Sequence, residues 1–262
     1  MSTTPSNHTK AQPDTVALFV SDLHLSVQTP LTTKAFFDFL ARHAQHTQQL
    51  YLLGDIFEYW AGDDDIDDEF NRSIADALKS VSDHGVEVYW IAGNRDFLVR
   101  DGFANVSGVI SLADPSVIDV AGHAVVLTHG DAYCTDDVDY MKFREQVRDP
   151  NWQAVFLAKP LAERKQMITA MREGSRAAQR EKSMAIMDVN LLAMDTLFRQ
   201  HGVTRIIHGH THRPAIHQTE SGTRYVLPDW DLDHAPHRGG WLEADLAGGF
   251  HERGSWHVVA IE

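Results

Sequence analysis

Five short polar clusters, each directly after an apolar, β-prone run, constrain this chain more than any other feature. They are Ser21-Asp22-Leu23-His24, Gly54-Asp55, Gly93-Asn94-Arg95-Asp96, Thr128-His129-Gly130-Asp131 and His208-Gly209-His210-Thr211-His212. In open α/β sheets, ligand sites form outside the carboxyl ends of strands, so all five can converge on one edge. The runs themselves are Val16–Val20, Gln49–Leu53, Val86–Ala92, Ala124–Thr128 and Arg205–His208. Amphipathic helical patterns over Lys34–Arg42 and Phe70–His84 separate the first three, a βαβαβ rhythm that predicts a largely parallel sheet with helices packed on it. Val117–Val120, Arg224–Leu227, Gly240–Asp245 and Trp256–Ile261 read as further strands, several joined as antiparallel hairpins. The expected class is α/β with mixed α+β character.

The clusters carry the chemistry of a metal centre. Asp, His and Asn supply carboxylate oxygen, imidazole nitrogen and amide oxygen. Asp22, His24, Asp55, Asn94, His129, His210 and His212 are too many donors for one tetrahedral ion and suit two ions sharing a bridging carboxylate. A nitrogen and oxygen shell without thiolate favours Mn²⁺, Fe²⁺ or Zn²⁺ over Ca²⁺ or Mg²⁺. The net charge of −14 argues against nucleic acid as a partner, because phosphate-backbone binding needs clustered Lys and Arg. It leaves room for a small phosphorylated substrate, since bound cations reverse the local field. Two divalent cations outweigh the two carboxylates Asp22 and Asp55, so the loaded site attracts hydroxide and phosphate.

Residues 1–14 are polar and read as a flexible extension before one domain spanning 15–262. Between 132 and 202 the pattern is helical throughout, and Trp152, Phe156, Leu157, Met167, Ile168 and Met171 supply large apolar groups there. Two readings stay open: these groups pack an insertion onto the body, or they present a cap with an apolar surface to a greasy substrate. No apolar run approaches the roughly 18–20 residues that span a bilayer. The single cysteine, Cys134, excludes an internal disulfide and is expected to be structural, which points to a reducing cytoplasm. Asp131 and His208, beside candidate ligands, are expected to orient them. The acidic run Asp63–Asp65 and Asp67–Glu69 reads as a solvated loop.

In this order, the five clusters resemble the blocks of the calcineurin-like metallophosphoesterases. The resemblance covers Asp22 to His212 and implies a β-sandwich flanked by helices, with a helical cap insertion. It further implies one metal on Asp22, His24, Asp55 and His212. The other would sit on Asp55, Asn94, His129 and His210, with Asp55 bridging. Metal-activated water would then attack phosphorus directly, without a Ser or Cys nucleophile. Many members carry His directly after the third-block Asn. Here Arg95 stands in that place; its planar fork suits phosphate oxygens, the bland alternative being a salt bridge to Asp96.

Motifs beyond the ligands, Gly93–Phe97, His129-Gly130-Asp131 followed by Cys134–Asp137, Lys182–Asn190 and His208–Pro214, resemble one branch of that family, the UDP-2,3-diacylglucosamine hydrolases. That resemblance implies attack at the α-phosphorus of UDP-2,3-diacylglucosamine, giving 2,3-diacylglucosamine 1-phosphate (lipid X) and UMP in lipid A biosynthesis, with Mn²⁺ as the metal. It assigns catalysis to Asn94, Arg95 and His210, and substrate contacts to Asn94, Arg95, Asp137, Ser175, Lys182 and His210. Gln179, where the branch commonly has Asn, is a further contact with altered reach. It also implies peripheral association with the cytoplasmic face of the inner membrane and favours the cap reading. The competing functions are a metallophosphodiesterase or phosphatase acting on a soluble nucleotide, and a non-catalytic scaffold.

Overall fold

The computed structural model describes residues 15–181, 186 and 188–254. In chain order its principal elements are β1 (Thr15–Val20), α1 (Pro30–Arg42), β2 (Gln49–Leu53), α2 (Glu69–Asp83), β3 (Glu87–Ile91), α3 (Asp101–Ser107) and β4 (Ile110–Ser111). Then come β5 (Ser116–Val120), β6 (His123–Leu127), α4 (Val138–Arg148), α5 (Pro150–Leu157), α6 (Leu161–Glu181) and α7 (Leu191–His201). The chain continues through β7 (Arg205–His208), β8 (Ala215–Thr219), β9 (Gly222–Val226), β10 (Gly240–Asp245) and β11 (Phe250–Gly254).

Two sheets result, one ordered β11-β10-β1-β2-β3-β4 and the other β5-β6-β7-β9-β8. Strand β1 is buried on both faces, and its side chains alternate between two different cores. Ala17 and Phe19 turn toward the second sheet, meeting Val125, Leu127, Ile207 and Leu227. Leu18 and Val20 turn the other way, onto Phe36, Phe39, Ile74 and Leu78 of α1 and α2. A period of two along the strand therefore builds a sandwich core and a sheet–helix core at once. Each large side chain removed from water there contributes about 1.5–3 kcal/mol. Helix α7 covers the outer face of the second sheet through Met194, Leu197 and Phe198 against Val126 and Ile206. The fold is thus the expected sandwich flanked by helices.

Register brings the polar clusters together. Strands β1, β2 and β3 are parallel, with Val20 opposite Leu52 and Leu53 opposite Ile91. Strands β6, β7 and β9 are parallel too, with Leu127 opposite Ile207 and His208 opposite Val226. All five clusters follow these carboxyl ends.

Some expectations shift. The run Trp256–Ile261 and the extension 1–14 lie outside the described residues. The polar strand β8, whose outer half is exposed, gave no periodic signal. Within the helical stretch expected over 132–202, α7 belongs to the body, whereas side chains of α4, α5 and α6 line the cavity described below. The acidic run is solvated only in its second half: Asp67, Asp68 and Glu69 are exposed as expected, whereas Asp63–Asp65 are tied to the body. Asp64 pairs with the buried Arg164, and Asp65 lies 2.7 Å from Lys165, both on α6. Asp63 accepts from the backbone N–H of Arg100 and Phe103 and from Trp60 Nε1 at 2.9–3.2 Å. Asp63–Asp65 are thus the seat of the helices above them.

Candidate metal centre

The backbone is bent where the clusters begin. Asp22, His24, Asp55, His210 and His212 all have φ between 48° and 69°, and among the described residues Ala121 alone shares that conformation without being glycine. Left-handed backbone costs an ordinary L-residue roughly 1–2 kcal/mol, less for Asp and His. Five such turns at one sheet edge mark a site where the fold spends stability to aim side chains.

Asp22 is fully buried, and its two oxygens have different surroundings. Oδ2 accepts from Ser21 Oγ at 2.6 Å and from the His210 N–H at 2.8 Å. Oδ1 makes no hydrogen bond and faces His212 Nε2 at 3.4 Å and His24 Nε2 at 4.0 Å. The two Nε2 atoms are 3.2 Å apart, and Asp55 Oδ2 lies 3.9 Å from that of His24. On its other side Asp55 Oδ1 lies 3.6 Å from His129 Nε2, which is 3.0 Å from Asn94 Oδ1. Donors about 2.1 Å from one ion sit about 3.0 Å apart at right angles and about 3.4 Å apart at tetrahedral angles. The spacings of 3.0–3.4 Å fit donors gathered around a cation, those of 3.6–4.0 Å are wider, and a cation would satisfy the orphaned Asp22 Oδ1. Asp22, His24 and His212 form one group able to hold an ion, and Asp22, Asp55 and His129 another. His210 packs its ring 5.1 Å from that of His129, at the same end.

Surrounding groups hold these side chains in place. His129 Nδ1 is 2.8 Å from the Leu53 carbonyl, a bond that places the Nδ1 proton there and leaves Nε2 as the atom that could ligate a cation. Asp96 accepts from the N–H groups of Gly93, Ile56 and Asp55 at 2.7, 2.8 and 3.3 Å. It therefore ties the Asp55 and Asn94 loops together, and the alternative Arg95–Asp96 salt bridge is overturned. Instead the Arg95 N–H donates to Asp55 Oδ1 at 2.8 Å, and its Nε lies 4.0 Å from Asp55 Oδ2. Asp131 does not hydrogen-bond a candidate ligand. It accepts from Tyr140 Oη at 2.8 Å and Arg144 Nε at 2.9 Å, anchoring α4. His208 likewise reaches the Gly209 carbonyl and Arg224 rather than a ligand ring.

Burial and charge oppose one another at this centre. Burial pushes the His24 and His210 imidazoles down to about 4. Burial also works against charge on His129, but Asp55, Asp22 and Asp131 outweigh it and raise that ring to about 9. Desolvation by burial, with Asp55 nearby, raises Asp96 to about 6. Concentrated buried carboxylate is the environment a divalent cation relieves. Burial holds the Cys134 thiol at about 12, so it is no nucleophile.

Sequence reading missed three neighbours. Glu58 Oε2 lies 3.1 Å from His24 Nδ1, Asp229 Oδ2 lies 3.6 Å from His212 Nδ1, and Arg148 donates to the Gly93 carbonyl at 2.9 Å. None sits at ligand spacing in the sequence, so no local pattern could have shown them.

A cavity of about 550 Å³ opens over the centre. Asp55, Asn94, Arg95, His210 and His212 line one part of it, and Phe97, Trp152, Phe156, Ile168 and Met171 line another. The same apolar groups also pack against the sheet–helix core, so the two readings of the insertion are not exclusive. Asp137, an expected substrate contact, lines the cavity and caps α4 through the Tyr140 N–H at 3.0 Å. Lys182 lies outside the described residues, as do the side chains of Ser175 and Gln179 on α6.

The family model for calcineurin-like phosphoesterases matches residues 16–214. The chain is 49% identical over 225 residues to a UDP-2,3-diacylglucosamine hydrolase of Aromatoleum aromaticum, covering 84% of this chain and 91% of that one. It is 45% identical to the protein of that name from Cellvibrio japonicus, covering 88% and 95%, and 46% identical to that from Escherichia coli, covering 82% and 91%. The chain belongs to the calcineurin-like phosphoesterases, a family of metal-dependent hydrolases, and within it to the group of proteins named UDP-2,3-diacylglucosamine hydrolase.

Proposed function

We propose that this chain hydrolyses the pyrophosphate bond of UDP-2,3-diacylglucosamine by water attack at the α-phosphorus, releasing UMP and 2,3-diacylglucosamine 1-phosphate. The observation that carries the reading is the cavity, which joins a carboxylate–imidazole centre to an aromatic and aliphatic wall. A soluble nucleotide has no use for that wall, whereas two acyl chains need one. Asp22, His24, Asp55 and His212 would hold one cation and Asp55, Asn94, His129 and His210 the other, both Mn²⁺. Bound there, the cations would supply a water deprotonated near neutral pH and neutralise phosphate charge.

The chain's own residues do the rest. Arg95 presents its guanidinium in the cavity beside Asp55, where its fork can bind phosphate oxygens of a pyrophosphate, whose leaving group needs little acid help. His210 and Asn94 touch the same space from opposite clusters. Trp152, Phe156, Ile168 and Met171 exclude water on the lipid side and align the acyl chains. Ser175, Gln179 and Lys182 are further substrate contacts in this reading. No helix among the described residues is long and apolar enough to cross a membrane. Exposed Val138 and Val155 on α4 and α5 suit peripheral contact with a bilayer holding the substrate.

Hydrolysis in ¹⁸O-water tests the site of attack: label should enter UMP, and label confined to the sugar phosphate would refute attack at the α-phosphorus. Arg95→Ala should lower kcat by about 10²–10³-fold, the scale of one lost charge-stabilising donor. Metal content should stay unchanged by atomic absorption; metal loss in that variant would contradict the role. A substrate analogue without acyl chains should lose at least about 100-fold in kcat/KM, and an equal value would remove the wall from the account.

A further inference from the structure

The segments 22–25 and 55–58 run side by side. The His24 and Leu25 N–H groups donate to the Asp55 and Ile56 carbonyls at 2.9 and 2.8 Å, and the Glu58 N–H returns to the Leu25 carbonyl at 3.0 Å. This pairing fixes Glu58 behind His24, with Oε2 3.1 Å from Nδ1. Nδ1 makes no hydrogen bond as it stands, and a small turn of the ring or the carboxylate would let Glu58 accept the Nδ1 proton and leave the Nε2 lone pair facing Asp22, Asp55 and His212. The other oxygen, Oε1, pairs with Arg172 Nη2. Arg172 stands on α6 one residue after Met171 of the apolar wall, with its guanidinium 5.9 Å from the centre of the Tyr59 ring. Glu58 and Arg172 are each about one-fifth exposed, so water screens the pair only partly.

We propose that Glu58 is a positioning residue that joins helix α6 to His24, coupling cation binding at the centre to the seating of the cavity wall. The inference rests on the reading of His24 as a metal ligand and extends it to the wall. Held by His24, a cation would fix the imidazole and with it Glu58, which pairs with Arg172 beside Met171 of the apolar side. Linkage is reciprocal, so a seated α6 must strengthen cation binding by the same factor. Two other ion pairs of α6 with the body, Arg164 to Asp64 and Lys165 to Asp65, lie two turns or so earlier and touch no candidate ligand.

The test uses the full chain stripped of metal and titrated with Mn²⁺ against a fluorescent chelator, with amide hydrogen exchange over 161–174 as a second readout. Glu58→Ala should weaken Mn²⁺ binding by about 10–100-fold, and Glu58→Gln, which can still accept the Nδ1 proton, should recover part of that loss. In the wild-type chain, saturating Mn²⁺ should slow exchange in α6; in Glu58→Ala, saturated and checked for metal content, it should not. Affinity within twofold of wild type, or an unchanged metal-dependent slowing, would overturn the proposal. A wild-type chain that takes up no Mn²⁺ is a separate result, and it refutes the metal centre itself.

Discussion

Asp55→Ala should lose metal and turnover together, with kcat/KM falling by at least about 10³-fold, beyond the roughly 10²–10³ that one lost hydrogen-bond donor costs. The reason is position. Asp55 follows β2 at the middle of the first sheet, is 2% exposed, and turns through φ 54° to send its carboxylate outward. One oxygen faces His24 and the other faces His129. No other carboxylate of the two candidate groups also holds the Arg95 backbone, through the 2.8 Å bond to Oδ1. Alanine removes the shared donor, disconnects the Arg95 loop and leaves Asp22 as the remaining carboxylate among the seven candidate ligands. Metal content measured beside turnover decides the matter: full stoichiometry with near-normal rate would contradict a bridging role.

Gly209→Ala should be nearly as severe without touching any ligand. A Cβ on Gly209 would lie 2.2 Å from both Asp22 Oδ2 and Ser21 Oγ. Those atoms form the 2.6 Å hydrogen bond that orients Asp22, and Oδ2 also receives the His210 N–H. Neither neighbour is the free end of a long side chain, so the Asp22 carboxylate must swing or the His210 loop must lift. Overpacking of this kind costs about 1–3 kcal/mol. The expected outcome is a lowered melting temperature of the metal-free protein, together with Mn²⁺ affinity and kcat/KM each reduced by at least about 100-fold, a larger effect than loss of one supporting contact. A variant with wild-type affinity would show that the 209–212 loop does not set Asp22. Gly93 is under the same constraint from the other loop, where a Cβ would meet Asp55 Oδ1 at 2.2 Å.

These cases show why the candidate ligands were legible in the sequence and their supports were not. Asp22, His24, Asp55, Asn94, His129, His210 and His212 each follow an apolar run directly, so a strand end and a donor are adjacent in the chain. Glycines beside them are local signals too, because the backbone must pass within contact of a carboxylate. Glu58, Asp96, Asp229 and Arg148 work through distant partners. The bonds from Asp96 to the Asp55 loop span about forty residues, and the His212–Asp229 contact crosses from one loop to another. Charge pattern misled at Asp64 and Asp65, since the cations that neutralise them stand about 100 residues later on α6. Apolar pattern could not sort the helices either. Met194, Leu197 and Phe198 of α7 look much like Trp152 and Phe156 of α5 in sequence, yet α7 covers the second sheet while α5 walls the cavity. Periodicity says that a face is buried, and only topology says against what.

In the proposed reading the centre breaks the bond, and the wall beside it selects what is brought there. Release of UMP from UDP-2,3-diacylglucosamine, followed with the metal-stripped chain before and after Mn²⁺ addition, tests that claim directly. The account predicts negligible release without metal, turnover on Mn²⁺ addition, and little UMP from a UDP-sugar lacking acyl chains. A metal-loaded chain that leaves the diacylated substrate intact, or that cleaves both substrates equally well, would contradict it.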